Sequence, residues 1–445
     1  MNGNQAPKGS KRLNGLTNLL GWLVPGLGVK RWFFFIFLGI TLIAVGFAVI
    51  ILEVYRNSPD NALLLQILST ASLRFLPRPL RALIFGSLGL GMILFGIWEL
   101  NRSIMAPFLR PGRSVVDTLR VHRQRERGPR IVAIGGGHGL ATLLRGLKQY
   151  SHNITAIVTV ADDGGSSGRL RKDLGILPPG DIRNCLAALS NDEALLSQLF
   201  QYRFPDSSEG LDGHSFGNLF ISALAEITGS FEEAVVESGR VLAVSGRVLP
   251  STLHDVRLDA DVVLPVMARE VRVEGESRIP KSEGKVLRVW LEPGSPPAFP
   301  ESIQALLTAD LIVIGPGSLY TSILPNLLVP DLMAAVRASR AYKVYVCNVA
   351  TQTGETDGFT AGDHIRALEA HIGSGFFDTA LINNLFEGKL PEKEEWVRAE
   401  DDLEHLYPIH SAGVVDPLHP WRHDSQKLAQ EIIDLLEDRT GPLVE

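Results

Sequence analysis

Asp162 and Asp163 stand side by side ahead of Gly164, Gly165, Ser166, Ser167 and Gly168, and Arg169, Arg171 and Lys172 come at once after them. Paired carboxylates can chelate Mg²⁺ or read a ribose, and equally they make turns and cap the next element. Glycine backbone donors next to cations add a site for an anion. The run Gly135-Gly136-Gly137-His138-Gly139 has the same logic: residues without Cβ let the chain turn sharply and bring N–H groups up to a phosphate, where a helix N-terminus adds partial positive charge. It does not fit the dinucleotide fingerprint, because position 140 is Leu, and no Lys-Ser/Thr pair makes a Walker loop. These departures argue against a plain NAD(P) dehydrogenase and a P-loop NTPase.

Three further segments carry chemistry. Gly315-Pro316-Gly317-Ser318-Leu319-Tyr320-Thr321-Ser322 is uncharged and rich in hydroxyls, which suits diphosphate or sugar oxygens, and Thr351–Asp357 adds carboxylates and hydroxyls that suit sugar groups. Pro178-Pro179-Gly180-Asp181 opens an apolar-periodic helix, with Asp181 either its N-cap or a ligand group and Asn184 facing the same loop. Gly213-His214-Ser215-Phe216-Gly217 satisfies the G-x-S-x-G pattern of a hydrolase nucleophile, but the polar, turn-rich Pro205–Asp212 ahead of it offers no buried strand to hold the strained elbow. Asn218 then either contacts a ligand or serves a helix N-terminus.

The elements that must position these loops are short apolar runs. Residues 131–134, Ile154–Val160, Ala309–Ile314 and Val344–Val349 each read as a strand running into one of the loops, and helical periodicity comes next at Leu140–Leu147 and Leu219–Ile227. Strand, glycine loop, helix is half of a βαβ unit, and in an open parallel sheet such loops share one crevice. The expected fold is α/β: a Rossmann-like, mostly parallel sheet with a small antiparallel insert over Val256–Leu291 and an amphipathic closing helix over Ser425–Leu436. Three domains are expected: a membrane anchor over 1–100, a basic linker over 101–130 and the sheet domain over 131–445.

Composition divides the 445-residue chain at the same place. Residues 1–130 hold 17 Lys/Arg against 5 Asp/Glu, whereas the remainder holds 26 against 44. So acidic a body is a poor partner for nucleic acid. Trp32–Tyr55 and Ala82–Trp98 are apolar around their whole circumference and read as two transmembrane helices; the first is too long for a signal peptide and no cleavage site succeeds it. Leu16–Val29 is too short to span and suits the interface. Basic residues before the first run and after the second place both termini and the sheet domain on the cytoplasmic side of the cell membrane. The arginine-dense linker suits anionic headgroups or is simply a solvated basic face. Cys185 and Cys347 alone make neither a disulfide framework nor a cysteine-rich metal site, which fits a reducing compartment.

The motifs GGGHGLATLLRGL, ITAIVTVADDGGSSGRLR, PPGDIRN, QYRF, GHSFGN, GRVLP, IPK, ADLIVIGPGSLYTSILPNLLVP and VYVCNVATQTGETDGFTAGDH, in this order, resemble the gluconeogenesis-factor family, bacterial relatives of 2-phospho-L-lactate transferase. The resemblance covers about Ile131–Ile432. It implies a Rossmann-like domain that binds UDP-sugars, UDP-N-acetylglucosamine or UDP-glucose, and regulates carbon use, envelope synthesis and cell shape. On these positions it places the ligand among Gly135–Gly139, Asp162–Arg169, Asp181, Asn184, His214, Ser215, Asn218 and Gly315–Ser322, with no catalytic residue and no certain cofactor. Envelope-synthesis proteins, the lipid bilayer and a further copy of the chain are the expected partners. Two departures stand out: His138 replaces the Thr of many members, and the two-span head is absent from the usual soluble ones. The competing class is a transferase of a phosphate-linked group, in which Asp162 or Asp163 would hold Mg²⁺.

Overall fold

The computed structural model describes residues 75–105, 128–190, 195–205, 210–264, 269–282 and 284–441, with isolated positions between 40 and 73. The chain divides into two units, Met1–His122 and Arg123–Glu445. In the first, helix α1 (Arg78–Met105) carries the second apolar run. Its stretch Gly86–Phe95 is apolar, and Leu88, Met92 and Phe95 are exposed. Among the described residues no single helix is long and apolar enough to cross a membrane. The expected pair of transmembrane helices is therefore not found there. Most of Trp32–Tyr55, all of Leu16–Val29 and most of the basic linker lie outside the described residues.

The second unit has the βα pattern. Strand β1 (Ile131–Gly135) leads into α2 (Gly137–Leu147), and β2 (Ile154–Val158) into α3 (Gly165–Leu174), α4 (Gly180–Leu189), α5 (Leu195–Gln201), α6 (Phe216–Thr228) and α7 (Phe231–Val241). After β3 (Arg247–Pro250) come the insert strands β4 (Arg257–Leu264), β5 (Arg269–Glu274) and β6 (Lys285–Glu292). The chain then returns through α8 (Pro300–Thr308), β7 (Leu311–Ile314), a π-helical turn (Leu319–Ile323), α9 (Leu324–Leu327), α10 (Pro330–Ala338) and β8 (Tyr342–Val346). It closes with α11 (Ala361–Ile372), β9 (Thr379–Asn383), α12 (Leu403–Leu406), β10 (Ile409–Ala412) and α13 (Ser425–Thr440).

Seven strands form one sheet in the order β10-β9-β8-β7-β1-β2-β3, every neighbour parallel. Strands buried on both faces must be apolar throughout, which is why β1 and β7 read as unbroken Ile/Val/Leu runs rather than alternating ones. Alternation still sorts them between two cores. Ile131, Ala133, Leu311 and Val313 pack with α2, α4 and α13, whereas Val132, Ile134, Ile312 and Ile314 pack with the other helix layer and the insert. The insert is a three-stranded antiparallel sheet in the order β5-β4-β6. Its register pairs Ala260 with both Val273 and Val289. Strand order runs away from β1 in one direction to β3 and from β7 in the other to β10. The switch point, where open α/β sheets leave a crevice outside the strand ends, lies between β1 and β7.

Two expectations need correction. Strand β2 stops at Val158 rather than Val160: the Ser251 N–H donates to the Val158 carbonyl in the last rung of its parallel ladder with β3, and β3 itself ends at Pro250. The Gly164–Gly168 run is not an open loop beyond Gly164: α3 starts at Gly165 with Ser166 and Ser167 buried.

Candidate functional site

The loops after β1 and β7 meet at the switch point and are built for close approach. Gly137 has φ of +61°, a conformation side chains rarely adopt. At Gly139 a Cβ would lie 2.7 Å from the Pro316 carbonyl oxygen, so the two loop backbones abut there. Asn326, fully buried on α9, clasps them: its Nδ2 donates to the Gly135 carbonyl at 2.9 Å and to the Ser322 carbonyl at 2.8 Å. Asn348, just past β8, donates to the Gly317 carbonyl at 2.9 Å and accepts from its N–H at 3.3 Å.

The hydroxyls of this loop are partly used within the protein. Ser318 Oγ accepts from Gln352 Nε2 at 2.9 Å, and Thr321 Oγ1 donates to Glu355 Oε1 at 2.9 Å. Glu355 is buried, and burial pushes its carboxyl up to about 7 against those hydrogen bonds.

One wall of the crevice is acidic. Asp162 Oδ1 accepts from the Gly164 N–H at 2.8 Å, and its carboxylate is also bonded to Ser167 and Glu276. Asp163 turns the other way and accepts from the Ser277 N–H of the insert at 2.8 Å. Asp181 is not the N-cap: Pro179 holds that place, Asp181 sits in the first turn of α4, and its carboxylate accepts from the Gly137 N–H. Burial, reinforced by Asp162, pushes Asp181 to about 7; burial and the surrounding carboxylates push Glu276 to about 9; burial also raises Asp162. Among the described residues no three His, Cys, Asp or Glu side chains are arranged to hold a metal ion. Asp162 and Asp163, directed to separate partners, do not by themselves make a Mg²⁺ cage.

A cationic cluster adjoins the acidic one, Arg183 lying within electrostatic reach of Asp181 and Asp162. Arg169 Nε donates to His214 Nε2 at 3.2 Å, which leaves the proton on Nδ1, and Nδ1 faces Ser166 Oγ at 3.0 Å. In this tautomer the histidine donates to the serine and cannot act as its base. Asn218 Nδ2 donates to Ser166 Oγ at 3.1 Å, while its Oδ1 accepts from Arg183 Nη1 at 3.2 Å. Arg183 is 5% exposed, donates also to Ser215 and to Asn184 Oδ1, and its Nε has no partner among the described residues. Burial, with Arg203 nearby, lowers it to about 10. His138, in the first turn of α2, reaches solvent while neighbouring protein shields part of its ring; that desolvation first, and then Arg422, Arg183, Arg145 and Arg203, lower its pKa.

Ser215 caps α6, accepting from the Asn218 N–H at 3.3 Å, and among the described residues no strand leads into it, so the G-x-S-x-G pattern is a helix start rather than a nucleophile elbow. Asn184 is buried and bonded to Arg183 and Gln201 instead of facing the glycine loop. The structure thus gathers Gly135–Gly139, Asp162, Asp181 and Gly315–Ser322 around the switch point, while Asn184, Ser215 and Asn218 spend polar atoms on Arg183, and Asn218 also on Ser166. Arg183, Glu276, Asn326 and Asn348 escape a reading of the sequence. Asn326 carries a signal, an amide one turn beyond a hydroxyl loop; Glu276 carries none, since only the insert's folding brings it back to Asp162.

A doubly wound parallel sheet with glycine loops abutting at its switch point defines a Rossmann-like α/β protein of the kind that takes ligands beyond the strand ends. Residues 131–439 match the family described as 2-phospho-L-lactate transferase CofD, and the chain belongs to that family. Its relatives include proteins named gluconeogenesis factor. One from Nostoc sp. is 44% identical over 99% of this chain and 93% of its own length. One from Bacillus subtilis is 49% identical over 70% of this chain and 99% of its own. A crystal structure of a UPF0052-family protein from Bacillus halodurans shares 45% identity and a TM-score of 0.64, covering 69% of this chain and all of that one. The Nostoc match, spanning 99% of this chain, extends into the head, so the first 130 residues have a counterpart there.

Proposed function

We propose that this protein is a membrane-anchored regulator of carbon metabolism, envelope synthesis and cell shape that binds a UDP-sugar, UDP-N-acetylglucosamine or UDP-glucose, in the switch-point crevice. The observation that carries the reading is the abutment of the β1 and β7 loops at Gly139 and Pro316, which presents backbone at the helix α2 N-terminus with cationic side chains near His138. The names of the relatives support the regulatory side. Anchoring is supported by the apolar runs Trp32–Tyr55 and Ala82–Trp98, with the sheet domain and both termini cytoplasmic. A second reading, a Mg-dependent transferase of a phosphate-linked group, draws on the family description and on the mutually repelling carboxylates of the acidic wall. Calorimetric titration of the full chain with UDP-N-acetylglucosamine and with UDP-glucose, with and without EDTA, and mass analysis of the same samples tests both. Saturable binding with intact ligand supports the regulator. Metal-dependent consumption of the ligand moves the assignment to the transferase, and no binding of either UDP-sugar overturns the ligand class.

A further inference from the structure

The insert has an edge strand that is covered by a side chain. Strand β6 lies at one side of the order β5-β4-β6, so alternate backbone N–H groups point away from β4 and need a partner from outside. For Val289 that partner is His371 on the last turn of α11: the Val289 N–H donates to His371 Nε2 at 3.0 Å. The other ring nitrogen, Nδ1, lies 2.6 Å from the Ala367 carbonyl, an acceptor only, so it carries the proton. Both nitrogens are assigned by their partners, and the ring is neutral as it stands.

We propose that His371 is the positioning residue that latches the β6 edge of the insert, and that its protonation loosens that edge on acidification. A protonated ring presents Nε2–H to the Val289 N–H, two donors face to face, in place of a bond. No ligand group needs to move for this to happen. The same insert meets the crevice at its other end, where the Ser277 N–H donates to Asp163 and where Gly354, beyond β8, approaches the Pro280 carbonyl.

The charged and titratable groups around the ring are few and are spoken for. The Tyr320 ring lies 6.0 Å away, edge on. Glu369 on α11 accepts from Tyr407 Oη, and Arg337 of α10 donates to the Ile372 carbonyl. On β6, Arg288 is paired with Asp261 and stacked over Trp290. Burial holds His371 below the usual histidine range, so release belongs to acid and not to neutral pH.

Hydrogen–deuterium exchange of the full, unliganded chain at pH 7.5 and 5.5, corrected for the intrinsic rate, tests the latch apart from any ligand. The amides of β6 should exchange several-fold faster at pH 5.5 than at pH 7.5 in the wild type, with about tenfold the ceiling for one histidine that titrates near 6.5 once released, and faster than the wild type at pH 7.5 in His371→Ala. His371→Gln, which keeps a neutral acceptor, should show no pH step. A wild type with no step, or a His371→Ala protein that stays protected, overturns the proposal; should His371→Ala not fold, the wild type against His371→Gln decides. A companion titration with UDP-N-acetylglucosamine rests on the proposed ligand, and its failure alone would leave the latch standing and count against the ligand.

Discussion

At the scale of single residues, the glycine loop separates two reasons for having no side chain. Gly137 has room for a Cβ, with Ser322 Oγ the nearest atom at 3.8 Å, and is held to glycine by its φ of +61°. Gly139 lies inside α2, where replacement by alanine ordinarily stabilises by about 0.5–1 kcal/mol. Its Cβ, however, would meet the Pro316 carbonyl oxygen at 2.7 Å and carbon at 2.9 Å, both backbone atoms with no flexible end to swing aside. Forcing backbone apart in a packed interior costs about 1–3 kcal/mol, which outweighs the propensity gain. Gly139→Ala should therefore lower the unfolding midpoint by a few degrees in a thermal melt and weaken UDP-N-acetylglucosamine binding in the same preparation. A variant that melts higher than the wild type would show that the two loops do not abut.

At the scale of elements, the part of the fold legible in the sequence is the part that local physics fixes. Residues 131–134 and Ala309–Ile314 are strands because an unbroken run of β-branched and apolar residues buries on both faces, and loops succeed them because glycines end each run. The start of α3 is not legible: Gly165, Ser166, Ser167 and Gly168 are poor helix formers, and the helix stands there because Asn218 and His214, far along the chain, bond Ser166. Asp181 misleads for a related reason, since Pro179 takes the cap and leaves the carboxylate to Gly137. The π-helical turn before α9 belongs to this class too, and the buried amide of Asn326 fixes it to the β1 loop. Asn326→Asp tests that clasp. It removes the N–H donor from two buried carbonyls and sets an acid against them, a loss of about 3 kcal/mol. Urea unfolding at pH 7.5 should show a lower midpoint, with the loss easing at acid pH as the new carboxyl is protonated and regains one donor. Unchanged midpoints would mean that the two loops hold without the clasp.

At the scale of the whole molecule, the acidic body stores several carboxyls that the fold keeps protonated. Asp181 and Glu355 are held near 7 and Glu276 near 9, in each case by burial first. A folded pKa above the unfolded value means that the folded state keeps a proton the unfolded chain gives up near pH 4. The stability this supplies is complete below that pH and drains away as pH rises through 7 towards 9. His423 acts in the opposite sense. Burial lowers it to about 4, so its contribution is complete above about 6.5 and is lost as pH falls towards 4. Between pH 7 and 9 the histidine has nothing left to give, and Glu276, still protonated in the fold and ionised in the unfolded chain, dominates the slope. Two pH units of one such proton amount to about 2 kcal/mol. Urea unfolding at pH 7 and pH 9 should therefore show the wild type losing about that much. Glu276→Gln, neutral at both, should lose clearly less, because the amide keeps the insert's place beside Asp162 without a proton to surrender. Equal losses in the two proteins would remove Glu276 as the source and shift the alkaline sensitivity to the buried thiols of Cys185 and Cys347, both pushed up by burial, since Asp181 and Glu355 have given up most of their proton by pH 7 to 8.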